Sequence, residues 1–244
     1  MHLDLSDPFA AYEDQDSGCV SYGIEADGRR WHVKIATDEQ AEASLRSAIR
    51  FHAAVRHPAI VAPVEVVEAP RLTLVAPWID GFTLNQATRY GSDRSGLRRF
   101  QAEPVGVVLA GLDRILDAHL AVVAAGFVAV DLYDGCFHVE VPSSTTYLID
   151  LDEYRPGPFV VEDDRLPGAS SYMAPEEWRR GATIDERTTV FGLGRTLQHL
   201  LAGPDGWRGS AERWAVVERA TATAPHDRHQ RATDLVQDWR AAGG

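Results

Sequence analysis

The chain has 244 residues, a net charge of -12 and 45% hydrophobic residues, which is the composition of a globular protein with a sizeable core. Its acidic balance, with no basic cluster beyond RSGLRR, argues against nucleic acid or an anionic membrane as a partner. No apolar run approaches the roughly 20 residues that span a bilayer, and residues 1–15 are too acidic for a secretory signal. We therefore expect a cytoplasmic protein.

The N-terminal third predicts a small β-rich unit with one helix. Two alternating segments, CVSYGIEA (19–26) and RRWHVKIA (29–36), flank an Asp-Gly turn and predict a hairpin. A helix is predicted over 38–56, because acidic residues lie in its first turn and apolar residues recur at helical spacing. The segment 57–77 predicts two more strands.

From residue 81 onward the pattern becomes mainly helical. One short hairpin is predicted there, from CFHVEV and TYLID. The predicted helical segments are 83–90, 104–126, 185–203, 210–222 and 231–242. The whole pattern indicates an α+β architecture with a β-rich lobe over 1–80, a helical lobe over 81–244 and a ligand cleft between them.

Basic side chains are almost all of one kind. The 24 basic residues are 23 arginines and a single lysine, Lys34. Strand alternation places Trp31, Val33 and Ile35 on one face and His32 and Lys34 on the other. Lysine is a compact charge on a thin stem, whereas arginine is a wide planar fork. We interpret Lys34 as a position that needs an ammonium group.

Two aspartates flank the predicted C-terminal hairpin. Asp131, in GFVAVDLYDG, is predicted on the loop that enters it, and Asp150, in YLIDLDEY, at the end of its second strand. They lie 19 positions apart, which is enough for a loop, two short strands and their turn. Both carboxylates are therefore expected on the same side of this hairpin. Further along, GASSYMAPEEW predicts a loop followed by a helix start.

Together these motifs resemble the protein kinase family over nearly the whole chain. HVKIA is similar to the strand motif VAIK at Lys34, and HPAIV to the family's HPNIV turn. Asp131 matches the last residue of HRD and Asp150 the first of DFG, while residues 174–176 match APE. RTTVFGLGRTLQHLLAG resembles the RSDVYSLG helix, and Arg228 matches the arginine that pairs with the APE glutamate.

The resemblance implies a bilobal protein kinase-like fold with ATP and Mg²⁺ as cofactors. In that family, Lys34 would hold the α- and β-phosphates and Asp131 would accept or orient the hydroxyl proton, while Asp150 would bind magnesium. Gly18 and Val20 would complete the contacts of the small lobe with the nucleotide.

The adenine-binding hinge of the family corresponds to VAPWIDG. Ala76 matches the gatekeeper, and a small residue there leaves a deep back pocket. Pro77 has no N–H, but its hinge position needs only the carbonyl, and Ile79 keeps the N–H that adenine requires. We expect the hinge to function despite its proline.

Several family positions are changed. The nucleotide-covering loop reads Glu13, Gln15 and Gly18 at the glycine positions, with Asp14 and Asp16 between them. Glycines allow backbone N–H groups to approach phosphate, whereas carboxylates repel it. This loop is expected to bind phosphate poorly.

The partners expected around Lys34 are also changed. Counting back from HPAIV, the helix glutamate that should pair with Lys34 is Ala48, and Glu42 or Glu39 would substitute only if the helix sat differently. Without that glutamate, Lys34 is expected to be less firmly placed.

The catalytic loop differs at its second metal position and at its brace. The second magnesium ligand expected after Asp131 is Cys136, a soft ligand unsuited to a hard cation. Asp134 and Asp152 are nearby oxygen donors that are candidates to replace it. The helix aspartate that normally ties down this loop is Thr189, so we expect bracing by packing alone.

Three functions remain open from the sequence. The first is an atypical serine/threonine protein kinase, favoured by Lys34, Asp131 and Asp150. The second is a pseudokinase that binds a partner protein, with or without nucleotide, favoured by the acidic loop, Ala48 and Cys136. The third is a small-molecule kinase of the aminoglycoside type, disfavoured by GASSYMAPEEW, because protein kinases dock polypeptide substrates on that segment.

Overall fold

The N-terminal part of the chain is an antiparallel sheet covered by one helix. The computed structural model describes residues 3–15, 17–88 and 90–243. In the sheet the strands lie in the order β1-β2-β3-β5-β4. Their bounds are β1 Ala10–Tyr12, β2 Cys19–Ala26, β3 Arg29–Ala36, β4 Glu65–Val67 and β5 Thr73–Pro77. The strands predicted over 19–26 and 29–36 are thus confirmed.

The turn between β2 and β3 has the geometry that its sequence predicts. Asp27 and Gly28 have positive φ angles of 53° and 72°, which a two-residue Asp-Gly hairpin turn requires. The resulting register pairs Lys34 with Ser21 on one side and with Leu74 on the other. The two faces of the sheet are therefore fixed residue by residue.

Helix α1, Glu39–Ala54, packs on the face of the sheet that carries Lys34. The Asp38 side chain caps it by accepting a hydrogen bond from the Ala41 N–H at 2.8 Å. Its Leu45 and Ala48 side chains are buried in a cluster with residues of β2, β3 and β5. The opposite face of the sheet has its own apolar cluster around Val33.

The C-terminal part contains five further helices in the described residues. The largest apolar core lies among them and includes residues such as Leu112, Leu197 and Trp239. Four of the five helical segments predicted from the sequence are confirmed. The helices are α2 Ser95–Gln101, α3 Val105–Ala124, α4 Glu186–Leu200, α5 Ala211–Ala220 and α6 Ala232–Ala241.

The helix predicted over 83–90 is wrong. The described part of this segment forms short strands, because its side chains bind distant residues that local periodicity does not reveal. Asn85 donates to Asp134 at 2.8 Å and accepts from Ser92 at 2.6 Å. The strands before and after Asn85 are β6 Gly81–Thr83, β7 Gln86–Thr88 and β8 Gly91–Asp93. Arg89, within the predicted helix, lies outside the described residues.

The predicted CFHVEV and TYLID hairpin is confirmed, but it is not the only strand pair in this part of the chain. Strands β6, β10 and β11 form a three-stranded sheet in the order β11-β10-β6, and β7 pairs with β8. Three more pairs are β9 with β12, β13 with β14 and β15 with β16. The bounds are β9 Phe127–Val128, β10 Phe137–Glu140, β11 Thr146–Leu148, β12 Arg155–Pro156, β13 Phe159–Val160, β14 Thr183–Ile184, β15 Ala202–Gly203 and β16 Gly206–Trp207.

The loop after α1 attaches the first sheet to the β10–β11 hairpin. The N–H of Leu148 donates to the carbonyl of Ala59 at 2.6 Å, and the N–H of Val61 donates to the carbonyl of Leu148 at 3.0 Å. These bonds place the residues after β11, including Asp150, next to the N-terminal sheet. Within the described residues, no helix has the length and apolar character needed to cross a membrane.

Candidate functional site

A cleft lies between the N-terminal sheet and the segments on either side of the β10–β11 hairpin. Its volume is about 430 Å³, within the range of pockets that bind small molecules and cofactors. Strand β3 contributes His32 and Lys34, and the end of β5 contributes Ala76 and Pro77. The opposite wall includes residues 149–152. The strand face predicted to carry His32 and Lys34 is therefore the face that borders the cleft.

Lys34 is the centre of an ion cluster in this cleft. Its Nζ atom is 2.6 Å from Asp150 Oδ1 and 2.5 Å from Asp152 Oδ2. The Lys34 side chain is 12% exposed, compared with 37% for Asp150 and 14% for Asp152. The fold thus brings together two site residues predicted from the sequence, Lys34 and Asp150, which are 116 positions apart.

The pKa values of the three charged groups in this cluster shift in different directions. Burial alone would lower the pKa of Lys34, but the adjacent carboxylates of Asp150 and Asp152 raise it well above its ordinary value. The ammonium in turn lowers the pKa of Asp150. For Asp152, burial outweighs the ammonium and the pKa is raised. Lys34 therefore stays charged, and Asp150 is the more readily ionised of its two partners.

Asp131 and Asp150 lie on backbone segments that meet at Cys136. The Cys136 Sγ atom is 3.3 Å from the carbonyl oxygen of Asp131 and 3.8 Å from that of Asp150. Burial, and then the negative charges of Asp150 and Asp131, raise the pKa of this thiol well above its ordinary value. Cys136 is therefore a neutral thiol that joins the two segments, which is a different role from metal coordination.

The loop before Asp131 is braced by a hydrogen bond as well as by packing. The N–H of Ala129 donates to Thr189 Oγ1 at 3.0 Å, and both residues are buried. The expectation that packing alone holds this loop is therefore wrong. A threonine hydroxyl on α4 reaches the backbone because α4 packs close to β9 and the residues that follow it.

The Asp134 side chain is buried behind the cleft wall and does not line the cleft. It is fully buried, and Oδ1 accepts a hydrogen bond from Asn85 Nδ2 at 2.8 Å. Oδ2 lies 3.3 Å from Arg94 Nε. At this point the cleft is lined by the neighbouring Tyr133 and Gly135. The metal-binding role predicted for Asp134 stays a prediction, and the contacts shown here are those of a brace.

Replacing Asp134 with asparagine should reduce stability without changing metal dependence. The new amide would turn an N–H group toward Arg94, so the free energy of unfolding is expected to fall by about 1–3 kcal/mol. Urea unfolding of the variant measures this change, and Asp117→Asn on the exposed surface of α3 is the control. A variant with normal stability that has lost its response to Mg²⁺ or Mn²⁺ would instead make Asp134 a metal ligand.

The strand end at 76–79 offers backbone groups to the cleft. The N–H of Trp78 donates to the carbonyl of Arg30 at 3.1 Å, so Trp31 and Pro77 form a non-hydrogen-bonded pair and the Pro77 carbonyl lies outside the ladder. Among the described residues the N–H of Ile79 has no hydrogen-bond acceptor. One backbone acceptor and one donor are thus available at this strand end.

The carbonyl of Ile79 accepts a hydrogen bond from within the protein. His138 Nε2 lies 3.1 Å from this oxygen. Burial lowers the pKa of His138, so the imidazole is neutral and donates from Nε2. His32, also in the cleft, has a pKa lowered to about 4 by burial and by Lys34. Both histidines are therefore neutral at pH 7 and add no positive charge.

Gly18 and Val20, predicted to contact a nucleotide, do not line the cleft. Gly18 closes a turn, with a φ of 70° and its carbonyl accepting from the Thr37 N–H at 3.1 Å. Val20 pairs with Ile35 and shares the face of the sheet opposite Lys34. The residue on the cleft face is Ser21, one position later. Matching the alternation of β2 to that of β3 would have found it.

The predicted acidic loop borders the cleft. Glu13 and Asp14 are part of its wall, and Glu13 Oε1 accepts a hydrogen bond from the Tyr22 hydroxyl at 2.8 Å. Asp16 lies outside the described residues. In the described wall, four carboxylates, from Glu13, Asp14, Asp150 and Asp152, face a single ammonium, that of Lys34. This balance supports the expectation of poor phosphate binding by the loop.

Helix α1 supplies no carboxylate to Lys34. Ala48 is 1% exposed inside the apolar cluster, and Glu42 pairs with Arg46 at 2.8 Å one turn further along the exposed side of the helix. The second carboxylate on Lys34 comes from Asp152, in the turn after β11. The available signal was its position two residues after Asp150, which keeps it in the same short segment.

Comparison of the chain with models of protein families and with curated proteins found no match. The likeness to protein kinases accordingly depends on the motifs in the sequence and on the contacts described above. Among the described residues, no group of three or more histidine, cysteine, aspartate or glutamate side chains is arranged to hold a metal ion.

Proposed function

We propose that this chain is an atypical serine/threonine protein kinase, which transfers the γ-phosphate of ATP to a protein hydroxyl. The observation that carries the proposal is the contact between Lys34 Nζ and Asp150 Oδ1, 2.6 Å apart inside a cleft bordered by the strand end at 76–79. In protein kinases a lysine and an aspartate in these positions hold the phosphates and the magnesium ion.

A bilobal protein kinase-like fold, with lobes over 1–80 and 81–244, is part of the proposal. A second predicted contact supports it, far from the cleft. Arg228 donates to both carboxylate oxygens of Glu176, at 2.7 and 2.9 Å, as the resemblance implies for the late arginine and the APE glutamate. The pair that the family motifs imply between Glu176 and Arg228 is therefore formed by this chain, in addition to the contact between Lys34 and Asp150.

The donor groups of the cleft suit ATP in part. The Pro77 carbonyl and the Ile79 N–H match the two hydrogen bonds that adenine needs from a hinge. Lys34 is the cation available to the phosphates. The acidic loop works against phosphate, so we expect the affinity to depend strongly on a divalent cation.

One carboxylate of the cleft suits magnesium. Mg²⁺ is usually held by one or two carboxylates together with substrate phosphates and water, and Asp150, the more exposed and more readily ionised of the two carboxylates beside Lys34, provides one such donor. Bound there, the ion would neutralise phosphate charge. Asp131 is left as the residue to orient the acceptor hydroxyl of the protein substrate.

A pseudokinase is the second candidate. It is favoured by the four carboxylates that face one ammonium, and by Cys136, which is a neutral buried thiol where the family has a metal ligand. In this alternative the cleft binds nucleotide weakly or not at all, and the chain serves as a binding module for a partner protein.

The experiment that tests the proposal separates binding from transfer. The purified chain is incubated with ATP and Mg²⁺ or Mn²⁺, alone and with generic protein substrates such as casein. At a free ATP concentration 100 times the dissociation constant, the free energy of unfolding should rise by about 2.7 kcal/mol, and mass spectrometry should detect added phosphate. Stabilisation without phosphate would favour a nucleotide-binding pseudokinase, and the absence of both would overturn the proposal.

A further inference from the structure

Among the described residues, Lys34 is held from one side of the cleft only. Its two ion-pair partners there come from the segment 150–152, through Asp150 Oδ1 at 2.6 Å and Asp152 Oδ2 at 2.5 Å. A single residue separates the two carboxylates, so both contacts depend on the position of the same short segment. The ammonium is therefore fixed relative to the end of the β10–β11 hairpin.

Helix α1 forms a hydrogen bond with this segment, but none of its described hydrogen bonds or ion pairs involves Lys34. Ser44 Oγ on α1 donates to Glu153 Oε1 at 3.0 Å, and Glu153 is also bound by Arg155 at 2.7 Å. The α1 residue that would face the lysine is Ala48, which is buried in apolar contacts. The link from α1 to the cleft thus passes through Glu153 and not through Lys34.

We propose that Asp152 is the positioning residue for Lys34, so that the placement of the lysine is controlled by the segment 150–153 and not by α1. The inference rests on the proposed function, in which Lys34 must be placed to meet phosphate. Asp150 is the carboxylate that a metal ion would engage, and Asp152 is then the partner that remains with the lysine when Asp150 is occupied.

This arrangement has a consequence for regulation. A carboxylate on α1 would make the position of Lys34 depend on how α1 sits against the sheet. With Asp152 in that role, a partner protein that shifts α1 leaves the ion pair intact. A partner or modification that moves residues 150–153 breaks it. Regulation of this chain is therefore expected at the residues that follow β11.

The single lysine of the chain makes the inference directly testable. Labelling with ¹⁵N-lysine gives one side-chain ammonium signal, and acylation at Lys34 is read by mass spectrometry of the peptide that contains it. In Asp152→Asn, without nucleotide, acylation of Lys34 should become about tenfold faster and the exchange of its ammonium protons with water should speed up. Asp152→Glu should restore slow acylation.

Glu42→Gln is the matched control, because it removes a carboxylate from α1 that pairs only with Arg46 in the described contacts. It should leave the acylation rate and the ¹⁵N signal of Lys34 unchanged. An unchanged Lys34 in a folded Asp152→Asn variant would overturn the inference, as would an equal response to Glu42→Gln. Protection of Lys34 by ATP in the wild type tests the proposed function separately, because the variants are compared without nucleotide.

Discussion

Replacing Arg228 with methionine is expected to lower the free energy of unfolding by about 3–5 kcal/mol. The Arg228 side chain is fully buried and binds both oxygens of Glu176, and it also donates to three backbone carbonyls. Methionine has a similar volume but donates no hydrogen bond. The substitution therefore leaves the Glu176 carboxylate buried without its cation, which costs more than the loss of any one contact.

The exposed pair of Arg240 and Asp117 is the matched control. Its atoms are as close, at 2.6 Å, but the two side chains are 46% and 47% exposed. Arg240→Met is expected to change stability by less than about 1 kcal/mol, because water screens the pair. Urea unfolding at pH 7 compares the two variants. Equal effects would mean that burial does not decide the strength of the Glu176–Arg228 pair.

The pH dependence of the Arg228→Met effect has a definite sign. Burial raises the pKa of Glu176, but the hydrogen bonds and charge of Arg228 outweigh it, so the pKa is lowered in the folded protein. This contribution to stability is present above the ordinary glutamate pKa and is lost as the pH falls through the folded value. In the variant, only the hydrogen bonds from Thr188 and the backbone still oppose burial, so Glu176 takes up a proton more easily. The difference between wild type and variant should therefore be smaller at pH 4 than at pH 7.

Replacing Asp131 with asparagine is expected to reduce phosphoryl transfer by about 10²- to 10⁴-fold, if the proposed kinase activity is present. The amide keeps the shape of the side chain but cannot accept the hydroxyl proton. Asparagine is the appropriate substitute because Asp131 has a φ of 56°, a left-handed conformation that asparagine adopts readily and a β-branched residue does not. Nucleotide binding, measured by thermal stabilisation with ATP, should remain close to that of the wild type.

Asp134→Asn is the comparison for this variant, because it makes the same chemical change three residues further along the same loop. Its carboxylate is committed to Asn85 and Arg94, so transfer should stay within a few-fold of the wild type at temperatures where the variant is folded. Undiminished transfer by Asp131→Asn would remove Asp131 as the base. Equal losses in both variants would indicate a general effect on the loop.

The balance of charge in the cleft distinguishes the two candidate functions physically. A kinase cleft must hold a polyanion, yet the described wall has four carboxylates and one ammonium. A divalent cation on Asp150 would relieve part of this repulsion. We therefore expect ATP binding to depend on a divalent cation. Equal binding of ATP with and without the metal would contradict this expectation, because the carboxylates of the wall repel the phosphates.

Local patterns in the sequence were sufficient for much of the fold. The hairpin of β2 and β3 follows from strict alternation around an Asp-Gly turn, and α3, α4, α5 and α6 follow from long apolar repeats. The direction of Lys34 is likewise a consequence of its parity along β3. These features depend on neighbours a few positions away in the chain. The residues of a single helix or hairpin are therefore enough to predict them.

The errors arose where contacts between distant residues decide the outcome. The segment around Asn85 forms strands because its side chain binds Asp134, a residue 49 positions away. The cleft face of β2 carries Ser21 and not Val20, because its register with β3 sets which residues share a face. Here the missed signal was the alternation of the two strands around their two-residue turn, which places Val20 and Lys34 on opposite faces.

The sequence by itself determined the hairpin of β2 and β3, the helices α1 and α3 to α6, the motif residues and the face of the sheet on which Lys34 lies. Only the tertiary structure decided what those residues touch. Asp152 becomes a partner of Lys34 across 118 positions because α1 packs an alanine against the sheet and the β10–β11 hairpin returns its end to the cleft. An ion pair needs atoms within a few ångströms, and that distance is set by the packing of the whole chain.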